Sequence, residues 1–144
     1  MKFNLEETIT GADLKPGATL LFFPRERLSK ILKTLGEQKV CIDAFFIRET
    51  KGIMAIFPLE EIPNLPELLD CDSIEPNAFR LTLHGHRLTE GKGLAALWES
   101  VLLDQNIPPV LSASNCSGIT HYFPESARKT VLELLDRTFG ILAV

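Results

Sequence analysis

The sequence contains two copies of one pattern, related by an offset of 66 residues. One copy includes the segment GIMAIFPLEEIPNLPELLD, which begins at Gly52, and the other includes GITHYFPESARKTVLELLD, which begins at Gly118. At this offset Phe57 also meets Phe123, and the leucine-rich ends of the two segments coincide. Chance supplies only a few such matches in one register, so the chain is interpreted as a duplication in which each copy folds into the same elements.

The same offset aligns two apolar stripes further upstream. Their residues are, in order, Leu28, Ile31, Leu32 and Leu35 in the first copy and Leu94, Leu97, Trp98 and Val101 in the second. The i, i+3, i+4, i+7 spacing places each stripe on one face of a helix. We therefore predict one amphipathic helix at this place in each copy, with Trp98 packed in the core.

Each copy is predicted to fold in the order β-α-β-β-α. The predicted strands are 18–23, 40–48, 52–57, 79–84, 108–114 and 118–123, and the predicted helices are 25–38, 58–70, 93–106 and 124–140. Pro63 and Pro66 predict that helix 58–70 is short or broken. Residues 141–144 are a candidate for a final edge strand. This order predicts an α+β fold of two tandem ferredoxin-like units, 1–72 and 73–144, each with an antiparallel sheet and helices on one face.

Charge and composition narrow the functional classes. The 144 residues include 15 basic and 19 acidic side chains, for a net charge of −4, which argues against nucleic acid or an anionic membrane as the main partner. The opening MKFNLEETIT lacks the apolar core of a signal peptide, so we expect a cytoplasmic protein. The three cysteines form no C-x-x-C pair and indicate neither a structural zinc site nor a disulfide framework, and no cofactor is predicted.

The two copies differ between their first strand and first helix. The first copy has only PRER there, whereas the second has HGHRLTEGKG, about six residues longer. Gly91 and Gly93 would let a ligand approach the unpaired N–H groups of the following helix. A phosphate would call for a G-x-x-x-x-G-K-[ST] or G-x-G-x-x-G pattern, and neither is present. A metal held by His84, His86 and His121, a small carboxylate, and an ordinary long surface turn remain as alternatives.

Several short motifs resemble the ACT domain and, more specifically, the paired ACT regulatory region of aspartokinases. They are Leu83-His84-Gly85, Gly93-Leu94-Ala95-Ala96, Asn106-Ile107, Ser112-Ala113-Ser114-Asn115, the final VLELLDRTF and, in the first copy, Ile42-Asp43. The resemblance covers nearly the whole chain. It implies allosteric binding of an amino acid or a similar small carboxylate at an interface between ACT units, in a homodimer that regulates an enzyme of amino-acid metabolism.

The resemblance also implies a set of ligand-binding residues. By position these are Gly85, His86, Gly91, Lys92, Gly93 and Leu94 in the loop, Ser112, Ser114 and Asn115 on the next strand, and Asp43 as a candidate ammonium partner. An outward-facing position on an alternating strand is an equal alternative for Asp43. No catalytic or metal-binding residue is implied.

Three features depart from the family pattern. In the second copy Pro109, not an aspartate, occupies the counterpart of Asp43, which weakens any full site within that copy. In the first copy Arg25-Glu26-Arg27-Leu28 stands where the family has a glycine, so its ligand loop is expected to be degenerate. No kinase catalytic domain is recognised, and we expect a non-catalytic regulatory pair, free-standing or part of a longer enzyme. The alternatives are a protein-interaction module without a small ligand and a small metal-dependent enzyme that uses the histidines. His121 is predicted to lie on the surface, opposite the apolar side of its strand.

Overall fold

The computed structural model describes residues 9–58, 65–85, 93–115 and 118–143, without the side chains of Pro66, Ser114 and Asn115. The strands are β1 (Ile9–Pro24), β2 (Ile42–Arg48), β3 (Lys51–Ile56), β4 (Ser73–Gly85), β5 (Leu111–Asn115) and β6 (Gly118–Pro124). The helices are α1 (Leu28–Glu37), α2 (Leu65–Leu69), α3 (Leu94–Asp104) and α4 (Arg128–Phe139), with 3-10 turns before α1 and α4. Within these ranges no helix has the length and hydropathy needed to cross a bilayer.

The chain divides into two compact units. The first unit is Gly17–Ala78, and the second consists of residues 9–16 together with 79–143. The predicted boundaries, 1–72 and 73–144, differ from this division at two places. Residues 73–78 lie in the first unit, and residues 9–16 lie in the second. Over the described residues each unit therefore has four strands and two helices, because β1 and β4 are long enough to serve both.

In the first unit the strand order is β2-β3-β1-β4. β3 pairs antiparallel with both β1 and β2, so β2 is an edge strand. The core contains Leu21, Phe23, Ile31, Leu35, Met54, Ile56, Leu65 and Leu69. The strand residues of this core share one face of the sheet, and its helix residues come from α1 and α2. The apolar stripe predicted on the first helix therefore packs on the core, and the two helices lie on one face of the sheet, as predicted. The described part of helix 58–70 is Leu65–Leu69. Residues 59–64 lie outside the described residues, so the predicted break of this helix stays a prediction.

In the second unit the strand order is β5-β6-β4-β1. The core is built from one sheet face and from α3 and α4, and its largest members are Trp98, Phe79 and Phe123. The rings of Phe79 and Phe123 stack with their centroids 5.4 Å apart, and Trp98 is fully buried as predicted. Gly140 ends α4 in the left-handed conformation, with φ of 66° and its N–H donating to the carbonyl of Asp136 at 2.7 Å.

The prediction of an edge strand at 141–144 is wrong over its described part, because residues 141–143 form no strand. Ile141 and Ala143 instead pack against the core of the second unit as irregular chain. The fourth strand of that unit is supplied by residues 9–16 of β1. Gly17 has a φ of 83°, in the left-handed region, at the point within β1 where the two units divide.

Candidate functional site

The strand-to-helix connection of the second unit begins and ends at described glycines. Gly85 is the last residue of β4 and is buried, whereas Gly93 is exposed and precedes α3. Three predicted ligand residues, His86, Gly91 and Lys92, lie outside the described residues. Gly93 has φ of 65°, in the left-handed region that favours glycine, and a Cβ built on it would meet nothing within 4 Å. Backbone conformation, and not crowding, therefore accounts for glycine at this position.

The first turn of α3 offers backbone donors. The N–H of Leu97 donates to the carbonyl of Gly93 at 2.8 Å, which is the first bond of the helix. The N–H groups of residues 94–96 precede that bond and have no acceptor within the helix. No acidic side chain lies in this first turn, and the helix dipole places a partial positive charge at this end of the helix. Leu94 itself is buried, and only its N–H is suited to bind a ligand.

The predicted polar strand is β5, on the edge of the second unit. It pairs antiparallel with β6, with Asn115 opposite Gly118 and Ser112 opposite His121. Ser112 is exposed, and Ser114 and Asn115 are described only in their backbone. Asn115 is the last residue of β5 and lies opposite the first residue of β6. Ser112 lies about 10 Å back along β5 from Asn115.

Two threonines fix the position of β4 beside β6. The hydroxyl of Thr82 lies 3.2 Å from that of Thr120. β4 continues from Thr82 to Gly85, while β6 begins two residues before Thr120, so the end of β4 lies beside the start of β6. The last residues of β4 and β5 therefore meet at the same end of this sheet. The structure thus places the backbones of Gly85 and Asn115 at the same end of the sheet, and Ser112 lies away from that end.

The predicted surface position of His121 is wrong. His121 is only 1% exposed, and it shares the helix-facing side of β6 with Ile119 and Phe123. Its Nδ1 lies 2.7 Å from the hydroxyl of Ser112, and no described atom forms a hydrogen bond with its Nε2. Burial lowers the pKa of His121 to about 4, so the ring is neutral at pH 7. Sequence reasoning misplaced this residue because both faces of β6 carry buried side chains.

The alternative of a metal held by the histidines is not supported by the positions of His84 and His121, and His86 lies outside the described residues. Thr82 and Thr120 share one sheet face, since their hydroxyls are in contact. His84, two residues from Thr82, is on that face, whereas His121, next to Thr120, is on the opposite one. His84 instead pairs with Asp13, with Nε2 2.5 Å from the carboxylate. Among the described residues no group of three or more His, Cys, Asp or Glu side chains is arranged to hold a metal ion.

In the first unit the connection between β1 and α1 is held by hydrogen bonds of Arg25 and an ion pair of Arg27. The backbone N–H of Arg25 donates to the carbonyl of Thr50 at 2.8 Å, and its Nη1 donates to the carbonyl of Glu49 at 3.3 Å. Arg27 forms an ion pair with Asp70. The short connection is thus tied to its neighbours, and its degeneracy as a ligand loop stays a prediction. Asp43, the remaining predicted site residue, lies in β2 and is exposed.

The fold has close counterparts among solved structures. Aspartate kinase of Clostridium acetobutylicum, described as an allosteric enzyme, superposes with a TM-score of 0.78 at 16% identity, over 96% of this chain and 36% of that one. The fold is that of an aspartokinase regulatory region. It is a tandem ACT fold, as the sequence motifs predicted. The chain spans about a third of the length of the Clostridium enzyme.

Two further structures share this tandem ACT fold. The regulatory subunit of aspartate kinase from Thermus thermophilus superposes with a TM-score of 0.71 at 14% identity, over 92% of this chain and 98% of that one. E. coli aspartokinase III in complex with lysine and aspartate gives a TM-score of 0.72 at 16% identity, over 92% of this chain and 33% of that one. No protein-family model and no curated protein sequence matches the chain.

Proposed function

We propose that this protein is a non-catalytic regulatory module that binds an amino acid or a similar small carboxylate through the first turn of α3. The observation that carries the proposal is the first turn of α3 behind the left-handed Gly93, whose N–H groups have no acceptor within the helix, on a fold shared with a regulatory subunit of aspartate kinase. The carboxylate of the effector accepts hydrogen bonds from the N–H groups of residues 94–96. These donors and the helix dipole both favour an anion.

Other predicted site residues complete the proposed site. Gly85 ends the neighbouring strand without a side chain, and His86, Gly91 and Lys92 belong to the same proposed loop. Ser114 and Asn115, at the same end of the sheet, are proposed to contact the amino group of the effector. Asp43 is proposed as a further ammonium partner. The lysine bound to E. coli aspartokinase III supports amino acids as the first class to test.

A thermal-shift screen against the twenty amino acids, followed by calorimetry, tests this function. A ligand at a hundred times its dissociation constant stabilises the folded state by about 2.7 kcal/mol, which raises the melting temperature of a chain of this size by several degrees. At least one amino acid is expected to do so saturably. If none of the twenty amino acids raises the melting temperature of the folded protein or gives a binding signal in calorimetry, the proposal is contradicted.

A matched pair of glycine variants separates ligand binding from backbone strain. Gly93 and Gly140 have nearly the same φ, 65° and 66°, and a Cβ at either position meets nothing within 4 Å. Gly93→Ala and Gly140→Ala should therefore cost the same stability without ligand, about 1–2 kcal/mol. Only Gly93→Ala should also weaken binding, because the ligand approaches that helix end. Equal affinity in the two variants would count against the site.

We further propose that the protein is a homodimer that uses the edge of the first unit. β2 is an edge strand there, and Phe45 and Phe46 on it are each 49% exposed. Unpaired strand edges and exposed aromatic side chains favour association with a second chain. Light scattering should give the mass of a dimer for the wild type and of a monomer for the double variant Phe45→Ser/Phe46→Ser. A wild-type monomer at micromolar concentration would overturn this assignment.

Association also provides a way for the effector to act. An effector shifts an equilibrium only if it binds one state better than the other. We propose that the effector favours one association state and that an enzyme of amino-acid metabolism, on the same or another chain, responds to it. The dimerisation constant measured with and without the effector should differ, and identical constants would exclude this mechanism.

A further inference from the structure

The first unit contains a cavity that the proposed effector site does not use. Its volume is about 290 Å³, and it is lined by Phe22, Phe23, Lys51, Gly52, Ile53, Asp72 and Ser73. All seven residues belong to the unit Gly17–Ala78. The volume lies at the lower limit of small-molecule sites, which start at about 300 Å³, so only a small ligand fits.

The cavity has an apolar floor formed by two adjacent strands. Phe22 of β1 and Ile53 of β3 are direct cross-strand partners, so their side chains share a sheet face. Both are partly exposed, in contrast to Phe23 on the opposite face, which is buried in the core. The floor therefore offers an apolar side chain a surface that the folded unit leaves partly uncovered.

Opposite charges flank this floor. Lys51 lies two residues from Ile53 and thus on the same face of β3. Asp72 lies on the other side of β1, where its N–H donates to the carbonyl of Phe22 at 2.8 Å. With one strand between them, the two backbones are about 10 Å apart. A lysine and an aspartate side chain directed toward the floor therefore leave room for a small molecule between their charges.

Neither charge is neutralised by the rest of the described chain. Lys51 and Asp72 are both exposed, and neither forms an ion pair with another described residue. Ser73 adds a hydroxyl to the rim. A carboxylate beside Lys51 and an ammonium beside Asp72 would each gain a charged partner. The arrangement is complementary to a zwitterion with an apolar side chain.

We infer that this cavity is a second small-molecule site that binds an α-amino acid with an aliphatic side chain. The Lys51 ammonium pairs with its carboxylate, the Asp72 carboxylate pairs with its ammonium, and its side chain lies on Phe22 and Ile53. The inference goes beyond the proposed function, since it concerns the unit whose own strand-to-helix connection is closed by arginines. A ligand can therefore bind at either site alone, and a substitution can abolish binding at one site without affecting the other.

Amide NMR spectra of the full chain titrated with L-leucine test the inference. The amide signals of Gly52, Ile53 and Ser73 are expected to shift saturably. 4-Methylpentanoate lacks the ammonium and isoamylamine lacks the carboxylate, so each should bind at least tenfold more weakly. Lys51→Met and Asp72→Asn should each weaken leucine binding at least tenfold. Lys33→Met and Glu37→Gln, which remove exposed charges on α1 of the same unit, should leave it unchanged.

Three outcomes would overturn the inference. In the first, leucine, isoleucine and valine leave the signals of Gly52, Ile53 and Ser73 unmoved. In the second, the signals move equally in the wild type, Lys51→Met and Asp72→Asn. In the third, leucine has no effect and these variants change the molar mass by light scattering, which assigns the cavity to contact with a second copy. Shifts confined to Gly93 and its neighbours would reject this site and retain the proposed effector site. Shifts confined to Gly52, Ile53 and Ser73 would support this site, and the screen with the other amino acids would still decide the effector site.

Discussion

The hydroxyl of Ser112 lies 2.7 Å from Nδ1 of His121, which joins an exposed edge-strand side chain to a buried imidazole. The ring also contacts Phe123 edge-on, with centroids 5.9 Å apart. A buried N–H without an acceptor costs more than an unused lone pair. We therefore expect the neutral ring to carry its proton on Nδ1, to donate it to Ser112 and to leave the serine proton directed outward.

Burial of His121 makes stability depend on pH. Its pKa is lowered from 6.5 to about 4, so between these values the unfolded chain binds a proton that the folded chain does not. Stability should therefore fall as the pH is lowered from about 6.5 to 4, by at most about 1.4 kcal/mol per pH unit and about 3 kcal/mol in all. Urea unfolding at several pH values should show this slope reduced in His121→Gln and retained in His84→Gln. Equal slopes in the wild type and His121→Gln would contradict the assignment.

Removal of the Ser112 hydroxyl should destabilise the second unit modestly. Ser112→Ala leaves Nδ1 of His121 without its partner, at a cost of about 1 kcal/mol, near the lower limit for a lost buried bond because Ser112 is exposed to water. Ser112→Thr, which keeps the hydroxyl, should retain most of the stability. A double-mutant cycle of Ser112→Ala with His121→Gln should give a coupling of at least about 0.5 kcal/mol. Strict additivity would show that the two side chains do not interact in solution.

Gly52 should not tolerate a side chain. A Cβ at this position would lie 2.5 Å from the ring of Phe23 and 2.7 Å from Cδ1 of Ile47, and both side chains are packed in or against the first core. Gly52→Ala should therefore cost about 1–3 kcal/mol by overpacking. Gly36→Ala, in α1 with nothing within 4 Å of the new Cβ, should gain up to about 1 kcal/mol. Chemical unfolding measures both, and a stable Gly52→Ala would refute this packing.

The thiol of Cys71 reports on the charge of Asp72. Burial, followed by the negative charges of Asp72 and Asp70, raises the pKa of Cys71 to about 11. Asp72→Asn should lower this pKa and increase the rate of alkylation near pH 9, measured in a chain with the other two cysteines replaced by serine. Asp104→Asn, in the second unit, serves as the control. An unchanged rate in Asp72→Asn would show that its negative charge does not raise the pKa of the thiol.

Much of the fold was predictable because the duplication repeats local signals. The stripe that contains Ile31 and Leu35 and the one that contains Trp98 both pack as their spacing predicted. The strand role of residues 9–16 was not predictable in this way, because it depends on pairing with a segment about seventy residues away. The local sequence pattern instead favoured residues 141–144 as an edge strand of the second unit.

The candidate site was predictable only in part. Gly93 was identified because a glycine at a helix start lets a ligand approach the N–H groups, and the structure gives it the left-handed conformation that favours glycine. His121 was misplaced because Ile119 and Phe123 are buried on one face of β6 and Tyr122 on the other, so alternation does not reveal which face is exposed. The partnership of Ser112 with His121 depends on strand register, which the two residues alone do not indicate.

A crystal structure grown with the amino acid that most raises the melting temperature tests the central claim most directly. The account predicts a ligand carboxylate oxygen about 3 Å from the backbone nitrogen of at least one of residues 94–96. A bound ligand located away from this helix end, or found only in the cavity beside Phe22, would contradict it.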